Sequence, residues 1–78
     1  MPRLPRVTGR SVVRALQALG FEIFDQSGSH VYLHRWTGVG WYVRVTVPVH
    51  AGRILKLRTL SNILKQADIS PEELIRHL

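Results

Sequence analysis

Two runs of alternating residues, His30–Trp36 and Tyr42–Val47, constrain this chain more than any other feature. Val31 and Leu33 are the apolar members of the first run; Val43, Val45 and Val47 are those of the second. Successive side chains of a strand point to opposite faces, so each run has one apolar side. Both apolar sets fall on one side of an antiparallel pair only at alternate registers, because a one-residue slip turns a whole set outward. The register with Leu33 opposite Val45 leaves Gly38-Val39-Gly40 as a three-residue loop in which glycine can take a positive φ. A preceding run, Phe21–Gln26, carries Phe21 and Ile23 as its apolar set and joins through a short turn at Gly28. The three runs therefore predict an antiparallel meander.

That register also fixes the opposite face. It carries Phe24, His30, Tyr32, His34, Trp36, Tyr42, Arg44 and Thr46, a surface of rings and one guanidinium. Rings stack on bases and guanidinium groups hold phosphates, so such a face suits RNA. The competing reading is a sheet whose second face is covered by a partner or by the N-terminal arm.

Helical periodicity flanks the strands. Val12, Ala15, Leu16 and Leu19 share one helix face, with Thr8 placed to cap the start and Gly20 to end the helix. After the strands, a basic loop over 50–58 leads to Leu60, Ile63, Leu64 and Ala67 on one stripe, with Thr59 as the expected cap. Ser70-Pro71-Glu72-Glu73 predicts a last short helix, with Ser70 as cap, Pro71 at the first position and Glu73 closing a capping box. Leu74, Ile75 and Leu78 give that helix an apolar side. The predicted order is α-β-β-β-α plus a short C-terminal helix, an α+β sandwich with its helices on one sheet face. With 78 residues this is a single domain, 1–78, which begins with an extended lead-in over 1–7 that holds Pro2 and Pro5.

Composition narrows the function classes. Eleven Lys and Arg against five Asp and Glu give a net charge of +6, which favours a polyanionic partner. The chain has no cysteine, so a thiolate metal site and a disulfide framework are excluded, and a reducing cytoplasmic setting is expected. No apolar run approaches the roughly 20 residues of a membrane span, and no signal segment is visible, so no membrane partner is expected.

His30 follows a Gly28-Ser29 turn, and His34 lies four residues on along the same strand face. At about 3.3 Å per residue, the two are roughly 13 Å apart and cannot share a metal ion that needs nitrogens at about 2 Å. No acidic cluster stands beside them, so neither a metal nor another cofactor is expected. An imidazole can instead exchange a proton with a ribose 2′-OH or a leaving oxygen near neutral pH. The plain alternative is a surface histidine with no chemistry.

The order and spacing of several short pieces carry a resemblance. Gly20-Phe21, Gly28-Ser29-His30, Val47-Pro48-Val49-His50, and Thr59-Leu60 leading into Ile63-Leu64-Lys65-Gln66-Ala67 are similar to the HicA family of toxins, over Thr8 to about Leu74. The resemblance implies a double-stranded-RNA-binding-like fold, which agrees with the order read above. It implies an endonuclease that cuts mRNA through one essential histidine, here His30, and a HicB-type antitoxin that silences it. Many members have a second histidine where this chain has Val31, which leaves the catalytic position intact. Many have glycine where this chain has Arg58, which makes the loop more basic.

The resulting expectation is a metal-independent endoribonuclease, the toxin of a toxin–antitoxin pair, with His30 as general acid or base. Gly28, Ser29 and His50 are the candidate supporting residues, His50 as a possible second proton carrier. Arg44, Lys56, Arg58, Tyr32 and His34 are the candidate RNA contacts. A non-catalytic RNA-binding module of the same fold and an interaction protein with an acidic partner are the alternatives.

Overall fold

The second hairpin forms in the expected register. In a computed structural model, which describes residues 3–78, β2 (His30–Trp36) pairs antiparallel with β3 (Tyr42–Pro48), from His30 opposite Pro48 to Trp36 opposite Tyr42. Leu33 faces Val45, and both are buried. Gly38 and Gly40 take φ of 88° and 105°, while the Thr37 hydroxyl donates to the Trp41 carbonyl at 2.8 Å to close the loop. The left-handed region is open to glycine at no steric cost, which is why this loop can be so short.

The first hairpin departs from simple alternation. Strand β1 (Glu22–Ser27) pairs antiparallel with β2, but the register shifts between Ile23 and Asp25, leaving Phe24 as the extra residue of a bulge. Ile23 still faces Leu33, yet it is 44% exposed rather than part of the core. The reason is position: β1 is an edge strand and all its residues are exposed, whereas the second helix packs chiefly on β3 at the other edge. Phe21, just before the strand, is the residue of this apolar set that is buried.

Helix α1 (Gly9–Ala18) starts at Thr8, whose hydroxyl accepts from the Ser11 N–H at 3.2 Å. Its apolar stripe buries Val12, Ala15 and Leu16 completely, with Val13 beside them, and Gly20 turns away at φ 96°. Arg35 of β2 donates to the Leu19 carbonyl at 3.0 Å, with its guanidinium 4.6 Å from the Phe21 ring centre. It ties the end of the helix to the sheet. Gly9 has no room for a side chain: a Cβ there would overlap the Pro48 carbonyl oxygen, with Val49 Cα 3.2 Å away. The start of α1 therefore rests directly on the backbone that leaves β3.

Helix α2 (Leu57–Ala67) buries Leu60, Ile63, Leu64 and Ala67 as expected, but it begins earlier than Thr59. Lys56 is its N-cap and makes no side-chain capping bond, so Thr59 lies inside the first turn and is not the cap. Backbone anchors set this start. The Leu55 N–H donates to the Val7 carbonyl at 2.8 Å, and Thr8 and Ile54 form a bridge. Helix α3 (Pro71–Arg76) forms on the complete Ser70–Glu73 capping box. Of the three apolar residues expected on it only Leu74 is buried; Ile75 is exposed, and so is Leu78, which lies beyond the end of the helix.

The core thus lies between one sheet face and the helices, centred on Leu16, Leu33, Leu60, Ile63 and Leu74. Each such side chain contributes about 1.5–3 kcal/mol by leaving water. Residues 3–7 form no helix or strand, and Leu4 and Val7 pack against this core. The described part of the arm therefore lies with the helical layer and does not cover the open sheet face. Met1 and Pro2 of the expected lead-in lie outside the described residues.

Candidate functional site

The end of the sheet where β2 begins and β3 stops gathers the candidate catalytic residues. Gly28 adopts φ 57° in the turn after β1, and nothing lies within 4 Å of where its Cβ would stand. Glycine suits such a turn because other residues are strained there. Ser29 is half-buried, and its carbonyl accepts from the Val49 N–H at 2.6 Å. That bond continues the β2–β3 ladder one step beyond the His30–Pro48 pair. His30 is exposed, with its ring near that of Tyr32 at 6.5 Å between centres. Its backbone is held from both sides, by Ser27 of β1 and Pro48 of β3, while its ring is open to solvent.

His50 follows Val49 directly and is also exposed. It lines a cleft of about 310 Å³ together with Arg53, Lys56 and Thr59. The basic loop therefore folds back beside the same end of the sheet. Lys56 contributes to this cleft and stands at the start of α2, where uncapped backbone N–H groups favour anions. Arg58, one residue into the helix, is exposed but does not line the cleft. The sequence reading missed Arg53 as an individual contact. Its placement depends on the turn through Gly52, which no local pattern specifies.

The remaining candidates lie farther along the open face. Tyr32 pairs with Thr46 and His34 with Arg44, so Arg44 is four strand residues from the Pro48 position opposite His30, or roughly 13 Å. Arg44 stands over the Phe24 ring at 5.8 Å, and His34 lies between Phe24 at 4.5 Å and Tyr42 at 4.2 Å. Tyr42 in turn meets Trp36 edge-on at 5.1 Å. The phosphate candidates are thus divided: Lys56 belongs with His50, and Arg44 belongs with the rings.

The bulge at Phe24 has a chemical result that alternation hides. It shifts the parity of β1, so that Asp25 and Ser27 sit opposite Tyr32 and His30 and share the open face with them. Asp25 and Ser27 line a second open hollow with Phe24, Tyr32 and Arg44. An extra residue in an edge strand leaves no local mark in sequence, and strict alternation from Ile23 would put this carboxylate on the other side.

Among the described residues, no group of three or more His, Asp or Glu side chains gathers as metal ligands would. No helix among them is long and apolar enough to cross a membrane.

Over residues 9–69, the chain matches the family model described as HicA toxin of bacterial toxin-antitoxin. The match runs from the start of α1 to just beyond α2, so it holds every candidate site residue and leaves out α3. No curated protein matches the chain.

Proposed function

This chain belongs to the HicA family of bacterial toxins, and on that premise we propose that it is a metal-independent endoribonuclease that cuts mRNA through His30. The position of His30 carries the reading: an open imidazole on a backbone fixed by two neighbouring strands, beside a basic loop. RNA brings its own nucleophile. An imidazole that takes the proton of a 2′-OH lets that oxygen attack the adjacent phosphorus, and the bond to the 5′-oxygen of the next nucleotide breaks. The leaving oxygen then takes a proton from an acid. The products are a 2′,3′-cyclic phosphate and a 5′-hydroxyl, and no water or metal is consumed in that step.

His50 is the candidate for the second proton carrier because the Ser29–Val49 bond sets it next in chain after the residue that touches the His30 turn. Lys56 and Arg58 supply positive charge for the phosphate, and electrostatic stabilisation of the developing oxyanion is often the largest single contribution in such sites. Gly28 and Ser29 shape the turn that presents His30. As a toxin of a toxin–antitoxin pair, the protein has an inhibitor to meet, which we infer to be a HicB-type antitoxin acting in the cytoplasm.

Replacing His30 by alanine tests the assignment. The ring is exposed, so stability should stay within about 1 kcal/mol of the parent, as for surface changes in general. Cleavage of an RNA oligonucleotide and growth inhibition on expression should both be lost. A folded variant that still cleaves at the parent rate refutes the role of His30. A parent protein that binds RNA and cleaves none would instead be the non-catalytic module.

A further inference from the structure

Resting on that ribonuclease reading, we propose that the open sheet face is a track on which consecutive bases of single-stranded RNA stack, leading away from His30. The chain has two phenylalanines, two tyrosines and two tryptophans. Phe24, both tyrosines and Trp36 stand on this one face, while Phe21 serves the core and Trp41 the hairpin tip. Phe24, Tyr42 and Trp36 are 44%, 46% and 53% exposed. Other exposed apolar side chains, such as Val39, Ile54 and Leu78, belong to loops, helix ends or the C-terminus, whereas these rings share one strand-built surface.

The rings are not scattered. They form a continuous row from Trp36 through Tyr42 and His34 to Phe24, and Phe24 continues to Tyr32, whose ring neighbours His30. From His30 to Trp36 the strand covers roughly 20 Å at about 3.3 Å per residue. That length suits a site of about four nucleotides, the low end of the range for single-strand grooves. Stacking on rings accepts any base because every base has a π-face.

Charge selects the occupant. Among the described residues, the acidic groups on this face, Glu22 opposite His34 and Asp25 opposite Tyr32, are on β1, and Arg44 is on β3. The basic loop adjoins the β3 side at the His30 end. An RNA backbone is therefore repelled along one edge of the face and drawn along the other, which orients the strand over β3 with its bases on the rings. A duplex gains nothing from such a face, because its bases are already stacked inside the helix. A second copy of this chain would set like charges against each other across the interface, given the net charge of +6.

The test uses the full chain and a 2′-O-methyl oligonucleotide of about ten nucleotides, which cannot be cleaved through its 2′-oxygen, within the range of site sizes seen for single-strand grooves. Binding is read by quenching of tryptophan fluorescence and checked by anisotropy of a labelled strand. Trp36→Ala and Tyr42→Ala should each weaken binding by about 5- to 150-fold, the range for loss of one base stack. Tyr42→Phe, which keeps the ring, should bind as the parent does. A parent that binds the single strand with these losses but cleaves no RNA overturns the ribonuclease reading and leaves the track standing. A parent that cleaves RNA while both alanine variants bind as tightly as it does overturns the track and leaves the reading. A preference for duplex over single strand also overturns the track, as does a dimer that Trp36→Ala dissociates without any change in RNA binding.

Discussion

Gly9→Ala is the substitution that probes the fold and the site together. In a helix, glycine to alanine ordinarily stabilises, by at most about 1 kcal/mol. At this position the new methyl would overlap the Pro48 carbonyl oxygen, with the carbonyl carbon at 3.1 Å and Val49 Cα at 3.2 Å. All three neighbours are backbone atoms, so no side chain can rotate away. Inserting a methyl into such packing costs about 1–3 kcal/mol, and the rigid surroundings place this case near the upper end. The net effect is a loss of about 2 kcal/mol. For a domain of this size each kcal/mol moves Tm by about 4–8 °C, so melting should fall by roughly 8–16 °C. Activity should fall further than stability alone explains. The displaced segment includes Val49, whose N–H holds the Ser29 carbonyl next to His30. A shift of about 1 Å in a catalytic group can lower a rate about 100-fold. Circular-dichroism melts and initial cleavage rates, taken well below both melting points, measure the two effects. Arg14→Ala, on the exposed side of the same helix, controls for helix propensity. A Gly9→Ala protein that melts at or above the parent refutes the close approach and the coupling argued from it.

Cleavage of an unstructured RNA should persist in EDTA, given the roughly 13 Å strand spacing between His30 and His34 and the missing ligand cluster among the described residues; loss in chelator with recovery on added divalent metal contradicts this. Neutralising Lys56 and Arg58 together should flatten the dependence of log affinity for single-stranded RNA on log salt by about 1.4, at roughly 0.7 for each phosphate contact. An unchanged slope would remove both from the phosphate contacts. In a complex with its antitoxin, His30 should be buried and the 53–58 loop contacted, since an acidic inhibitor that occupies this surface excludes RNA directly. A complex structure with His30 open and the antitoxin on the helical side would require another route of inhibition.

Much of the sheet was legible because two constraints coincide in it. The parity of Val31 and Leu33 against Val43, Val45 and Val47 restricts the register, and the glycines at 38 and 40 restrict the loop, so the hairpin had one consistent solution. The α3 start was legible because the Ser70–Glu73 box is entirely local. The start of α2 was not, because it is set by Leu55 and Ile54 bonding to Val7 and Thr8, residues about fifty positions earlier. The bulge at Phe24 and the close approach at Gly9 were hidden for a similar reason. An extra residue and a missing side chain are each defined only by the strand that lies opposite. At the site, pairing placed the turn that carries His30 beside the Val49-His50 segment, while the division of Arg44 from Lys56 follows from how the loop folds back.

The bulge in β1 has one more consequence, for how molecules of this protein meet one another. The outer edge of that strand is free, and a free edge is a template on which another chain can add a strand. Regular spacing of the outward N–H and C=O groups is what an incoming strand needs. One surplus residue at Phe24 breaks that spacing midway along a six-residue strand, leaving too short a regular stretch on either side to nucleate pairing. The same kink that turns Asp25 toward the open face thus makes this edge of the sheet a poor template for a strand of a second copy.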